Sequence, residues 1–370
     1  MLDILHTESS TGWGGQETRT VLEAEHLTRR GHRVRIAGPP GSGIEREARR
    51  RGLPFFPTPI RSVLDPTAYL RLVRFLRREK PLILHTHSSK DSWLAGLAGR
   101  RACVPVIFRT RHVSIPVRPQ RLNPVYRLPD RIIVTAAAIR NDLVGRCGLA
   151  PDRVVPLPTG VDLQRFGPHV SGRAFREEFG LGAKTPAVGM VAQLRGSKGH
   201  DHFIQAARLL CRRKPDVKFF IVGNGRRRAL IGEKIRSEGM QERVTMTGYR
   251  EDIPNVMSAL DVLVIASTRT DGIPQAGLQA LATGVPVVGT QVGGIPEIVL
   301  DGETGLLVRP GDARALAEAI ETLLDDPARR ERMGRTGAQI ARARYSLEAM
   351  LDALENLYWE TLRESRGNGC

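Results

Sequence analysis

Residues 261–290 constrain the fold more tightly than any other stretch of the chain. The run Asp261-Val262-Leu263-Val264-Ile265-Ala266 is apolar almost throughout, the pattern of a buried strand in a parallel sheet. A polar loop containing Gly272 follows, and the spacing of Leu278, Leu281 and Ala282 predicts a helix over Ile273 to Thr283. Pro274 falls in its first turn, where a missing N–H costs little; Gly284 ends it, and Val285 to Val288 begin the next strand. Asp271 is thereby placed at the C-terminal end of a strand, just ahead of a helix N-terminus. Open α/β sheets bind ligands there, and the backbone N–H groups of the helix point at anions.

The same alternation runs along the whole chain. Residues 2–6 and His32 to Ala37 read as strands around a helix from Gln16 to Arg30, entered through Gly12-Trp13-Gly14-Gly15 and closed by Gly31. Asp65 to Glu79 is predicted as a helix with Leu70, Val73, Phe75 and Leu76 inward and Arg71, Arg74, Arg77 and Arg78 mostly outward. Further strands are expected at 82–87, 104–109, 131–135, 187–191, 218–222 and 244–249, and further helices at 92–101, 137–147, 202–211, 252–260, 314–324, 328–343 and 347–362. Two doubly wound α/β domains facing a cleft are the natural architecture. A linker with Gly167-Pro168 and Ser171-Gly172 puts the boundary near Phe166, dividing 1–166 from 167–345. The length of 370 residues suits two domains, each with its own core.

Composition narrows the function classes. No segment approaches the roughly 18–20 apolar residues of a membrane span, and the opening MLDILHTESS reads as a first buried strand, not a secretory leader. The four cysteines are scattered without a CxxC pair, which points to a reducing, cytoplasmic setting with neither a disulfide framework nor structural zinc. Residues 1–165 hold 28 Arg and Lys against 14 Asp and Glu, so +14 of the net +17 lies there. That excess is either a solvated surface or a patch facing an anionic partner such as membrane lipid or phosphorylated glycan. Nucleic acid is disfavoured, because aromatics are 5% of the chain and are not interleaved with the basic residues. His85 and His87 form an H-x-H at a strand end; with no third ligand or carboxylate pair in the neighbouring sequence, hydrogen bonding to loops is expected in preference to a metal.

The stretch from Asp271 onward resembles the signature of the family-4 retaining glycosyltransferases of the GT-B fold. Asp271-Gly272-Ile273-Pro274 stands where that family has acidic-Gly-x-Pro, and Gln279 stands eight residues on, where a second Glu is usual. Ala280 to Val287, Val292-Gly293-Gly294-Ile295-Pro296-Glu297 and Asp301-Gly302-Glu303-Thr304-Gly305 continue the pattern. Elsewhere Gly14 and Gly15 match a loop beside the donor phosphates and acceptor, and His112 a histidine that approaches the donor sugar. Thr159-Gly160-Val161-Asp162 matches the interdomain segment, and Gly248 and Tyr249 a segment whose backbone holds the nucleobase. Lys198 and Gly199 match a Lys-Gly pair, whereas Gln193 replaces the family's Arg; Arg195, two residues on, is placed to supply that charge. Gly223 opens a second close-approach turn.

The resemblance implies a metal-independent transferase, consistent with the absence of any Asp-x-Asp. It implies no cofactor beyond a nucleotide-sugar donor, such as a UDP-, GDP- or ADP-sugar, and a saccharide or lipid-linked acceptor, as in lipopolysaccharide or exopolysaccharide synthesis. Lys198, Arg195 and the N–H groups near Pro274, Gln275 and Ala276 are then expected to hold the diphosphate, Asp271 the sugar hydroxyls and Gln279 the ribose. The terminal helix, 346–363, is expected to return to the first domain. Peripheral attachment to the inner membrane face through the basic first domain is a further expectation. Two other readings stay open at this level: a nucleotide-sugar 2-epimerase of the same fold, and a non-catalytic anion-binding module.

Overall fold

The computed structural model describes residues 1–60, 62–113, 123–269 and 271–367; Cys370 lies outside them. The chain forms two compact units, Met1–Thr159 with Glu348–Cys370, and Gly160–Leu347. The division falls at Thr159, not near Phe166. The Thr159 hydroxyl is bound by Arg19 of the first unit, whereas a Cβ on Gly160 would lie 2.5 Å from the backbone of Leu347.

The sheet of the first unit contains β1 (Asp3–Thr7), β2 (Arg33–Gly38), β3 (Phe55–Pro57), β4 (Ile83–Thr86), β5 (Val106–Arg111), β6 (Arg131–Val134) and β7 (Val154–Pro156). All pairs are parallel, in the order β3-β2-β1-β4-β5-β6-β7, so the winding reverses between β1 and β4. Alternation along the strands sends Leu5, Leu84 and Ile107 to one face, where Leu72, Leu76, Leu94 and Ala98 of two covering helices pack on them. His6 and His85, partners in register, point to the other face, where the helices Gly15–Arg29 and Leu347–Gly367 supply Glu23 and Tyr358. The last helix thus belongs to the first unit, as the Arg30 and His32 bonds to Glu355 also show.

The second unit repeats the plan with β8 (Ala187–Val191), β9 (Lys218–Val222), β10 (Val244–Gly248), β11 (Val262–Ile265), β12 (Val287–Thr290) and β13 (Gly305–Val308). These strands too are parallel, ordered β10-β9-β8-β11-β12-β13, with the reversal between β8 and β11. Val188, Met190, Phe219, Ile221, Val262 and Val264 form the centre of its core.

Several expectations are corrected. Leu70 is half exposed, because Ala68 and Leu72 carry the inward stripe of their helix. The helix starting at Ala137 changes after Asn141 into a π-type turn over Asp142–Arg146. Helices at Arg173–Glu178 and Arg228–Ser237 carry too few apolar residues to show a period in the sequence. The last helix continues past Glu364 to Gly367. No helix among the described residues is long and apolar enough to cross a membrane.

Candidate active site

In the second unit the loops leaving β8 and β11, the two strands at the winding reversal, carry the candidate donor-binding residues. The first makes a tight turn over Gly196–Lys198, and the described residues of the second are 266–269 and 271–274. Lys198 Nζ lies 2.6 Å from Asp271 Oδ2, and Ser267 Oγ donates to the same oxygen at 2.7 Å. Asp271 is only 5% exposed, so its charge needs these partners. One backbone bond links the two loops, Thr268 N donating to Ser197 O at 2.9 Å, and the Thr290 hydroxyl at the end of β12 anchors the second by donating to Ser267 O at 2.6 Å.

Two glycines permit that approach. Gly199 has φ +75°, and a Cβ on it would lie 1.8 Å from the carbonyl oxygen of Ala266; Gly293 has φ +56°, and its Cβ would lie 1.9 Å from that of Asp271. Both are backbone collisions that no rotamer relieves.

The helix after this loop spans Gln275–Thr283, with Pro274 as its extended N-cap and not inside its first turn. The distinction places the N–H groups of Gln275 and Ala276 at the open end of the helix, immediately after the Asp271 loop. Gln275 Nε2 donates to Gly160 O at 3.2 Å, while its Oε1 is buried without a partner among the described residues. Gln279 lies one turn along the same face and is half-buried.

The remaining candidates of this unit spread over neighbouring strand ends. Gln193 and the exposed Arg195 follow β8; Gly223, after β9, donates its N–H to Gly248 O at 2.8 Å; Tyr249 is 57% exposed. Gly272 and Ile273 are buried in the Asp271 loop. Ser267 was not singled out from the sequence. Its signal was available: a hydroxyl at a strand exit, four residues ahead of an acid.

In the first unit Gly14 is the N-cap and Gly15 the first residue of the helix Gly15–Arg29. The loop before them is organised by Glu8, which the sequence reading passed over. Its Oε1 accepts from Ser9 N and Ser10 N, each at 2.8 Å, and its Oε2 from Gln16 Nε2 at 2.5 Å. Burial, with the nearby Asp91 and Glu17 carboxylates, pushes the Glu8 carboxyl up to about 8.

His85 and His87 have more company than the sequence suggested. His6, Glu23, His85 and His87 each offer a ligand atom within 4.8 Å of the others, so the third ligand and the carboxylate that seemed missing are supplied by β1 and the first helix. The fit to an ion is nonetheless poor. His85 uses both nitrogens, on the Tyr358 hydroxyl and the Thr110 hydroxyl, at 2.6 Å each. Glu23 Oε1 is held at 2.6 Å by the buried Arg19 guanidinium, a cation that opposes a second one. Burial holds all three imidazoles well below the ordinary histidine range, His6 at about 3. His112, partly buried just beyond β5, is linked to His87 at 3.2 Å.

Residues 172–340 match the family of glycosyl transferases group 1, and residues 13–165 match glycosyltransferase family 4. The alpha-D-kanosaminyltransferase of Streptomyces kanamyceticus is 30% identical, over 91% of this chain and 97% of its own. A GDP-mannose-dependent alpha-(1-6)-phosphatidylinositol monomannoside mannosyltransferase of Mycolicibacterium smegmatis is 30% identical over 90% and 88%. The UDP-Gal:alpha-D-GlcNAc-diphosphoundecaprenol alpha-1,3-galactosyltransferase of Escherichia coli is 28% identical over 74% of each chain. Among solved structures, Anabaena Alr3699/HepE in complex with UDP-glucose superposes with a TM-score of 0.86 at 21% identity, covering 98% of this chain and all of the other, which establishes the shared GT-B fold. By this similarity along nearly its whole length, the chain belongs to the group 1, family 4 glycosyltransferases and is an enzyme of that class.

Proposed function

We propose that the protein transfers a sugar from a nucleotide-sugar donor to a saccharide or lipid-linked acceptor, with retention of anomeric configuration and without a metal ion. The observation that carries this reading is the Lys198–Asp271–Ser267 cluster, set between the turn after β8 and the N-terminus of the Gln275–Thr283 helix. A cation, a carboxylate and a helix end stand together there, a set suited to a sugar diphosphate.

In the proposed step the bond from the anomeric carbon to the phosphate oxygen breaks and the acceptor hydroxyl bonds to that carbon on the same face. The hydroxyl proton passes to the departing phosphate oxygen, so no separate base is required. Lys198, Arg195 and the first N–H groups of the helix stabilise the charge that collects on the diphosphate. Asp271, its Oδ2 taken by Lys198 and Ser267, keeps Oδ1 for sugar hydroxyls. Gln279 replaces a carboxylate at the ribose position, and Gly248 and Tyr249 contact the base. His112, Gly14 and Gly15 are the candidates on the first unit for the donor sugar and acceptor.

The names of two relatives carry an undecaprenyl-diphosphate and a phosphatidylinositol acceptor, which supports a lipid-linked or envelope saccharide here. Peripheral attachment to an anionic membrane fits the first unit, where Leu64 and Leu70, 86% and 50% exposed, stand with the exposed Arg71, Arg74 and Arg77. Incubation with a panel of UDP-, GDP- and ADP-sugars, with and without EDTA, tests the proposal. Turnover that survives EDTA and yields a product of the donor's anomeric configuration is expected; turnover abolished by EDTA, or inversion, contradicts it.

A further inference from the structure

We infer that His87, backed by His6, is a positioning residue for His112: a chain of three imidazoles, buried at His6 and His87 and partly open at His112, keeps His112 in one orientation and one tautomer. The inference rests on the reading that His112 serves the donor sugar. The chain lies at the C-terminal edge of adjacent strands, with His6 in β1, His87 just past β4 and His112 just past β5. That edge includes the β1/β4 reversal, where an open α/β sheet binds its ligands.

The links run in one line. His6 Nδ1 lies 2.8 Å from His87 Nε2, and His87 Nδ1 lies 3.2 Å from His112 Nε2. The rings of His6 and His87 stack at 5.1 Å and those of His87 and His112 at 5.5 Å. The Thr135 hydroxyl donates to the His112 carbonyl at 3.2 Å and fixes its backbone. His85, by contrast, is spent on Tyr358 and Thr110 and is not part of the line.

A neutral imidazole carries one N–H. In a chain of three, the hydrogens can therefore run in only two ways. If His6 donates from Nδ1, His87 must donate from Nδ1, and His112 carries its proton on Nδ1. If the direction reverses, His112 donates inward from Nε2 and its Nδ1 is a bare acceptor. The two directions give opposite tautomers of His112, and His6 decides between them. Its Nε2 is buried without a partner among the described residues, so a proton there would be an orphaned donor, and the first direction is favoured, with His112 Nδ1 donating toward a sugar hydroxyl. Burial keeps the rings of His6 and His87 neutral, which the scheme requires. An ion held by His6, Glu23, His85 and His87 would break these bonds, so the two arrangements exclude each other.

The test uses the full chain labelled with 15N-histidine, as wild type, His87→Ala and His87→Asn. Asn keeps a polar atom near the Nδ1 position but cannot reach His6. Wild-type His112 is expected to show one tautomer in its 15N shifts. His87→Ala should give a mixture of tautomers, with kcat for the sugar nucleotide that the wild type turns over reduced by about tenfold to a hundredfold at similar donor KM. His87→Asn should recover a large part of both losses. Unchanged His112 shifts or unchanged kcat in His87→Ala overturns the inference. So does one equivalent of tightly bound metal in the purified protein, measured by elemental analysis. If His87→Ala does not fold, His87→Asn and His6→Gln carry the same comparison. If no sugar nucleotide is turned over, the functional reading fails while the NMR comparison still decides the chain.

Discussion

Lys198 and Asp271 cannot be judged separately, because each is the other's partner. Removing Lys198 leaves a carboxylate at 5% exposure with one hydroxyl for company, and breaking a buried pair costs about 3–5 kcal/mol in typical cases. Lys198→Ala is therefore expected to lose turnover and some stability, whereas Lys198→Ala with Asp271→Asn should recover the stability, read from urea unfolding, without the turnover. Recovery of turnover in the double variant contradicts a phosphate role for the lysine. Gln279→Glu tests the ribose assignment. A charge-assisted bond gains about 1 kcal/mol over a neutral one, so donor KM should fall about fivefold. His6 gives a pH prediction. Its imidazole titrates near 3 in the folded protein against an ordinary 6.5, so the unfolded chain binds more protons between these values. Its contribution is complete above pH 6.5 and is lost as pH falls toward 3. The stability difference between wild type and His6→Gln should therefore shrink on acidification from pH 7 to 5; a constant difference contradicts it. Comparing the two proteins cancels Glu8, whose raised carboxyl acts in the opposite sense.

The active-site elements are strand exits whose geometry depends on backbone proximity. Gly199→Ala places a methyl 1.8 Å from the Ala266 carbonyl at a φ of +75°. Strain and collision together should cost more than the 1–2 kcal/mol of the left-handed conformation alone, and donor binding should weaken as the Lys198 turn moves. Much of this was legible in the sequence. The unbroken apolar run before Ser267 and the helix capped by Gly284 located Asp271 correctly, since both signals are local. The cluster around His6 was not legible, because it arises when β1 and β4, far apart in sequence, become neighbours with His6 opposite His85. Glu8 was hidden for a different reason: its three donors, Ser9 N, Ser10 N and Gln16 Nε2, are near in sequence, but their convergence depends on the loop conformation, which no residue pattern announces. The start of the Gln275–Thr283 helix was misjudged by two residues, because Pro274 suits both an N-cap and a first turn.

On the scale of the molecule, the charge asymmetry read from the sequence is in part internally neutralised. Arg33 and Arg35 pair with Asp3 and Glu79, and Arg49, Arg50 and Arg51 with Glu45 and Glu47. Arg71, Arg74 and Arg77 remain exposed on the helix that carries the half-exposed Leu70 and that begins just after the exposed Leu64, which makes this helix the membrane candidate. Flotation with phosphatidylglycerol vesicles at low salt should carry the protein upward, and Leu64→Ser with Leu70→Ser, or high salt, should weaken it. Equal flotation with neutral phosphatidylcholine vesicles contradicts an electrostatic attachment.

The central claim, that Lys198 and the neighbouring helix end hold the diphosphate of the donor, is tested most directly by calorimetric titration of wild type and of the Lys198→Ala, Asp271→Asn double variant with UDP, GDP and ADP in the presence of EDTA. One nucleotide is expected to bind the wild type, and the double variant should bind it at least about tenfold more weakly, the loss of one charge-assisted contact. Equal affinity in the two proteins, or binding that disappears with EDTA, would contradict the account.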